Sequence, residues 1–170
     1  MIPTLRTERL TLRAPRWDDF EAYTAFRTSP RSATTGGPFT RAEAFQQVCA
    51  LLGHWQVRGY GRWMVADAET ENPLGVVGLY YPEDWPEPEV AWSLFDEAEG
   101  KGYAYEAALA ARDYAFGTLG WTSVISLIDP ANTRSVALAR RLGCLEGASY
   151  AHPKFGNLHY WHHPAPEVRA

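Results

Sequence analysis

The spacing of apolar residues changes period several times along the chain, and each change predicts an element. In residues 9–15, Leu10 and Leu12 alternate with Arg9, Thr11 and Arg13, the two-residue period of a half-buried strand that Pro15 ends. Asp18 or Asp19 then starts a helix with Phe20, Tyr23 and Ala25 or Phe26 on one side. Residues 30–38, rich in Ser, Thr and Gly, read as loop. The run "TRAE" at residues 40–43 has the form of a capping box, and behind it Phe45, Val48, Leu51, Leu52 and Trp55 recur at helical spacing before Gly59.

Residues 62–69 and 74–81, on either side of Glu71, Asn72 and Pro73, predict an antiparallel hairpin, and residues 89–95 a further strand after the Pro-interrupted loop 82–88. A helix through Ala107, Ala108, Ala111, Tyr114 and Phe116 runs to Gly117 or Gly120. Residues 122–128 form a β-branched strand, Asn132 starts a third long helix that Leu142 and Gly143 end, and residues 145–151 and 158–164 are two short strands. The order βααβββαβαββ, without repeats or linkers, predicts one α/β domain over residues 1–170 with a mixed sheet.

Composition narrows the class. The chain has 170 residues, of which 46% are hydrophobic and 21% charged, enough apolar material for a core and too little charge for a disordered chain. It shows neither a signal-peptide core nor a membrane-spanning run, so a cytoplasmic protein is expected. A net charge of −4 offers no general attraction to nucleic acid or to anionic membrane. Two cysteines, Cys49 and Cys144, are too few and too far apart for a disulfide framework or a zinc site and are expected to be buried free thiols. The charge is unevenly placed: residues 63–100 hold ten acids and no Lys or Arg, whereas residues 132–141 hold Arg134, Arg140 and Arg141 and no acid.

The stretch "DEAEGKGYAYEA" (residues 96–107) sets close glycines between a strand and a helix N-terminus. The first helical turn leaves N–H groups without partners and carries partial positive charge, and small residues let an oxygen approach the main chain. Each such amide can add about 1.5–3 kcal/mol to anion binding, against roughly 1 kcal/mol lost per glycine in the helix. The run fits neither a nucleotide P-loop nor a dinucleotide fingerprint, so another phosphate carrier is implied.

"EGKGYAYEA" resembles the coenzyme A pyrophosphate loop of the GCN5-related N-acetyltransferases (GNAT), with Gly102 and Ala104 at the small positions. "TERLTLR" followed by Asp18 and Asp19, and "NTRSVALARRLGC", resemble the opening strand and the late helix of the branch that acetylates ribosomal-protein N-termini. The three matches follow the family's order from Thr7 to Cys144. The resemblance implies a mostly antiparallel sheet flanked by helices and splayed between its fourth and fifth strands, here residues 90–95 and 122–128. It implies acetyl-coenzyme A as cosubstrate, held by amides of Lys101, Gly102, Tyr103, Ala104 and Tyr105, with Leu94 and Phe95 along the strand and Asn132 and Ser135 facing the pantetheine arm and its sulfur. Arg134, Arg140 and Arg141 suit a 3′-phosphate. Two positions depart from the pattern: Glu99 stands where relatives have Gln or Arg, and Ala139 stands where many have the tyrosine that protonates the leaving thiolate, which leaves Ser135 or water for that task.

Acetyl transfer to an amine needs a neutral nitrogen, a polarised thioester carbonyl and a proton for the leaving sulfur. A protein α-amine, with a pKa near 8, costs about 1.4 kcal/mol to deprotonate at pH 7, and a lysine near 10.4 costs about 4.6 kcal/mol. By resemblance Glu89 is the expected base, with Glu83 and Asp84 as alternatives or substrate contacts, and an amide within residues 92–94 is the expected oxyanion donor. The segment "YYPEDWPEPEVAW" carries acids and aromatics that suit an ammonium: Tyr80, Tyr81, Trp85 and Trp92 either line the acceptor mouth or pack as core and lid. His159, His162 and His163 alternate sides in a strand, so no metal is expected. The expected activity is N-acetylation of a primary amine, on a protein N-terminus or a small molecule. The rivals are an acyl-coenzyme A sensor or partner subunit without turnover, and an acyltransferase using another acyl group such as succinyl. A homodimer through the terminal strand, residues 158–163, is also expected.

Overall fold

In the computed structural model, which describes residues 1–166, a short strand β1 (Leu5–Arg6) precedes the predicted first strand β2 (Leu10–Arg13). Helices α1 (Phe20–Thr28) and α2 (Arg41–Arg58) follow, then the hairpin β3 (Arg62–Asp67) and β4 (Pro73–Tyr80), and β5 (Glu89–Leu94). Helix α3 (Tyr103–Gly117), strand β6 (Ile125–Ile128), helix α4 (Thr133–Arg141) and the hairpin β7 (Leu145–His152) and β8 (Gly156–His162) complete the order. The extra strand β1 and three 3-10 turns, at Trp17–Asp19, at Pro30–Thr35 inside the predicted loop and at Asp96–Ala98, are the added elements. The domain is α/β, with one eight-stranded sheet in the order β1-β2-β3-β4-β5-β6-β8-β7. Neighbours are antiparallel except β5 and β6.

The helix boundaries come from local chemistry. Thr40 and Glu43 form the reciprocal cap of α2, and Gly59, at φ 77°, ends it. Asn132 caps α4 by accepting the Ser135 N–H, and Gly143, at φ 76°, follows its last turn. The core lies on both faces of the sheet. On one, Trp63, Val65, Val77, Leu79 and Val90 pack against Ala107, Ala108, Ala111 and Ala115 of α3, whose small side chains let the helix lie close to the strands. On the other, Met64 and Val76 meet Tyr23, Phe26 and Leu51 of α1 and α2.

Four expectations are corrected. Strand β2 is buried on both faces, because on its polar side Arg13 meets Asp19, in the turn before α1, in a two-pronged ion pair with contacts of 2.8 Å. The strand expected from Thr122 begins at Ile125: its partner β5 begins only at Glu89, after a loop in which Pro86 and Pro88 offer no N–H to a ladder. Cys49 is exposed on the outer side of α2 and not buried, whereas Cys144 is buried, which pushes its thiol up to about 11. The terminal strand β8 sits between β6 and β7 with both edges paired, so it cannot join a partner's sheet. Among the described residues no helix is long and apolar enough to cross a membrane.

Removing one member of a buried ion pair leaves the other charge uncompensated, a loss of about 3 kcal/mol or more. Asp19→Ala leaves Arg13 only its half-exposed partner Glu71, at 3.1 Å, and is expected to lower unfolding free energy by about 3 kcal/mol, the low end of that range, in urea titration. Replacing both Arg13 and Asp19 by apolar residues should recover most of that loss.

Candidate active site

Strands β5 and β6 pair at a single position, Glu89 with Ile125, and then part. The Ser126 hydroxyl donates to the Val90 carbonyl at 2.5 Å, so Val90 presents its main-chain groups toward β6. In an extended strand the direction repeats every second residue, so the N–H groups of Trp92 and Leu94 also face the opening, while Ala91 and Ser93 pair with β4. Two strand amides thus line a wedge with no strand opposite them.

Glu89 stands at the apex. Its Oε2 accepts the Leu127 N–H at 2.8 Å, a side chain bonding where a ladder bond would otherwise fall. Burial raises its pKa from the ordinary 4.5 to about 7; the Leu127 N–H, the Trp85 indole and the charge of Arg62 oppose that rise less strongly. The Trp85 indole N–H lies by the carboxylate but outside hydrogen-bonding geometry, and is a buried donor without a partner. The carboxyl therefore changes protonation near neutral pH, as a base acting on an amine requires.

The predicted anion site lies at the start of α3. Gly100 and Gly102 have φ of 73° and 80°, left-handed conformations that explain both glycines. A Cβ at Gly102 would touch only the Arg9 guanidinium, at 3.4 Å, so backbone conformation decides this position more than close approach does. No side chain caps the helix, and its first closing bond is Glu106 N–H to Gly102 carbonyl, which leaves the amides of Tyr103, Ala104 and Tyr105 without helical acceptors. Glu106 anchors this turn to the β1–β2 connection: it accepts the Thr7 hydroxyl at 2.6 Å, the Arg9 N–H at 2.9 Å and Arg9 Nε at 2.8 Å. Arg9 also donates to the Lys101 carbonyl at 2.9 Å. That gives "TERL" a physical role beside the glycine loop.

Glu99, the unexpected acid, is not left bare. Arg31, from the 3-10 turn after α1, and Arg134, from the first turn of α4, both pair with its carboxylate, and Arg31 also reaches Asp96. Arg141 lies 5.1 Å from the Tyr105 ring on the first turn of α3. Arg140 instead turns toward Trp161 and Glu146, on the β7–β8 side.

Asn132 and Ser135 meet at the α4 cap, and the Trp92 indole donates to Ser135 Oγ at 3.1 Å. Trp92 thus faces α4, on the side of β5 opposite Glu89, and is separated from Tyr80 and Trp85. Ala139, one turn beyond Ser135, is fully buried in the core. The Phe95 ring belongs to the core beside Tyr23 and Phe26, so only its backbone borders the strand's end.

On the Glu89 side, Tyr80 stacks on His54 and touches Trp85 edge-on. Glu83 is exposed and pairs with Arg58, and Asp84 lies 3.2 Å from His152 Nε2. His159 pairs with Glu146, His162 stacks on Tyr160, and His163 is buried against Ser126 Oγ at 3.0 Å, where burial pushes its pKa down to about 3. Three contributors escaped the sequence reading. Arg31 lies in a stretch without periodicity, Ser126 is one hydroxyl in an apolar strand, and His54 accepts the Tyr81 N–H at 3.0 Å to hold the loop after β4. None has a local signal.

The chain matches the model of the acetyltransferase (GNAT) domain over residues 9–145. An acetyltransferase crystal structure from Agrobacterium tumefaciens is 40% identical, covers 96% of each chain and superposes with a TM-score of 0.88. The uncharacterized N-acetyltransferase p20 of Bacillus licheniformis is 27% identical over 82% of this chain and 80% of its own. The fold also matches RimL, a ribosomal L7/L12 alpha-N-protein acetyltransferase in complex with coenzyme A, at 14% identity and a TM-score of 0.79, covering 96% of this chain and 98% of that one. A parted parallel pair beside an uncapped helix start, in a chain with these likenesses, identifies it as a member of the GNAT acetyltransferase family.

Proposed function

We propose that the protein is an acetyl-coenzyme A dependent N-acetyltransferase in which a neutral primary amine attacks the thioester directly. The observation that carries this reading is the position of Glu89, buried with a pKa near 7 at the point where β5 and β6 separate. The coenzyme suits the uncapped amides of Lys101 to Tyr105 and the positive charge of Arg31 and Arg134, which exchange Glu99 for phosphate oxygens. Leu94 and the Phe95 backbone border its pantetheine arm, and Asn132 lies at its α4 side. The likeness to a fold solved with coenzyme A supports this placement.

In this mechanism Glu89 takes the proton of the incoming ammonium, directly or through water, before attack. The Trp92 or Leu94 amide faces the thioester oxygen as its charge develops. The proton that the nitrogen loses as the C–S bond breaks and the amide forms passes to the departing sulfur with the Ser135 hydroxyl as relay, which regains the proton it gives: the bond from Trp92 orients its oxygen as acceptor and leaves its own proton free to donate. The acceptor enters past Tyr80, Glu83, Asp84 and Trp85. Exposed carboxylates there attract a cation and repel a carboxylate-bearing one, and the fold likeness to a protein N-terminal acetyltransferase favours a protein α-amine over a small one.

Calorimetry with acetyl-coenzyme A, followed by thiol release with peptides bearing free N-termini and with small amines, tests the reading. Binding and turnover are expected. Binding without turnover on any amine would support the sensor, and absence of binding would sink both.

Glu89→Gln should lower kcat/KM at least tenfold at pH 7 and remove a rise in wild-type rate with an apparent pKa of about 7. The same variant has a signature in stability. Because folding raises this carboxyl above its ordinary 4.5, its stabilising effect is complete below pH 4.5 and is lost as pH rises to about 7, a change of about 3 kcal/mol at most. Thermal melts of Glu89→Gln should therefore exceed wild type at pH 8 and match it near pH 4.5.

Glu99→Gln removes an acid from the anion site, releases Arg134 and leaves Arg31 paired only with the exposed Asp96. Coenzyme A should bind about three- to tenfold tighter by calorimetry, with a steeper loss of affinity on adding salt.

A further inference from the structure

The outer side of α2 has the composition of a contact surface. From Ala44 to Val57 the helix carries no Asp, Glu, Lys or Arg, whereas a solvated helix face is normally charged. Only Ala44, Leu51 and Trp55 are fully buried beneath it. Phe45 (47% exposed), Cys49 and Leu52 (42% exposed) follow one another at helical spacing on the open side, and Trp17 (66% exposed) packs its ring 6.4 Å from Phe45. These positions match the helical period as well as the buried ones do, and the core does not use them.

The face has a protrusion at one end and a hollow at the other. Trp17 and Phe45, seated on the buried Phe20, form an aromatic knob beside the start of α2. At its other end Leu52, Trp55, Gln56 and Gly59, with Met1 and Ile2, line a cavity of about 360 Å³. Phe45 and Gln56 are eleven residues apart, about 16 Å along the axis.

We propose that α2 is a self-association face: two copies of the chain pack α2 against α2, antiparallel about a twofold axis level with Ala50 and Leu51, each inserting its aromatic knob into the other's cavity. A twofold contact needs one surface complementary to itself, and a knob and a hollow equidistant from a common centre supply that. The antiparallel arrangement also sets the positive N-terminal end of each helix beside the negative C-terminal end of its partner, with no like charges between them. The competing route, pairing of the sheet edge β7, is blunted by a bulge between Glu146 and Ser149. Helix α2 alone, about 27 Å by 10 Å, offers less than the about 800 Å² per partner of a stable interface. Trp17 and Ile2 must therefore share in the contact, and the dimer should depend on concentration.

Sedimentation velocity from low to high micromolar protein should show a monomer–dimer equilibrium that Leu52→Glu shifts at least tenfold toward monomer, with far-UV circular dichroism and coenzyme A binding unchanged. Cys49 supplies a second readout, since Cys144 is buried. Cα atoms lie about 2.3 Å off each axis, so opposed helices roughly 8–10 Å apart with the twofold between residues 50 and 51 bring the two Cys49 Cα atoms to about 6–7 Å, well within reach of a short bismaleimide. The cross-linker should yield a covalent dimer that Cys49→Ser and Leu52→Glu both abolish. A protein monomeric throughout overturns the proposal, as does a dimer that persists in Leu52→Glu or resists cross-linking at Cys49.

Discussion

One replacement in the hydrogen-bond ladder organises this molecule: where β5 and β6 part, the Glu89 carboxylate accepts the Leu127 N–H that a continuing strand would have taken. A sheet opened in its middle exposes unpaired amides on both edges, and such groups are costly when buried. Here the cost is contained by two side chains. Ser126 takes the Val90 carbonyl and Glu89 the Leu127 amide, so the opening starts abruptly and the Trp92 and Leu94 amides remain directed into it. The carboxylate that ends the ladder is desolvated by its position, and the same burial moves its pKa to near neutrality. Geometry and proton affinity at this site have one cause.

The start of α3 follows a similar logic. A side-chain cap would have stabilised the helix by about 1 kcal/mol, yet Gly102 stands at the cap position and leaves the first amides open. Stability is restored from outside the helix: Glu106 ties the turn to Thr7 and Arg9, and Arg134 and Arg31 surround the Glu99 carboxylate just ahead of it. An acid beside a proposed diphosphate site is thereby held in an ion-pair network rather than presented bare. Arg31 also connects the segment after α1 to the loop before α3, so the helices over one face of the sheet and those over the other meet through charge at this point.

The helix-start chemistry was legible because it is local. A capping box at Thr40 and Glu43, Asn132 before α4, and glycines at left-handed positions each act within a few residues, so sequence and structure agree there. The Glu89 position was legible only through family resemblance; nothing in "EPEVAW" signals a carboxyl buried at a fork. Arg13 and Cys49 misled in opposite directions. An arginine in an alternating strand reads as solvent-facing until Asp19 neutralises it within the fold, and a cysteine in an apolar helical pattern reads as core until the helix proves apolar on more of its circumference than the core covers.

The order of elements, their caps and the small residues of α3 are properties of neighbouring residues, set by dihedral preference and periodicity, and the amino-acid sequence alone determined them. Which strand lies beside which was decided in three dimensions. Placing β8 between β6 and β7 removed it as an edge, and setting β5 against β6 at one position created the cleft. Only that juxtaposition desolvates Glu89, brings Arg31 to Glu99 and leaves one side of α2 uncovered, because burial and long-range pairing depend on what the rest of the chain places nearby and not on the residue itself.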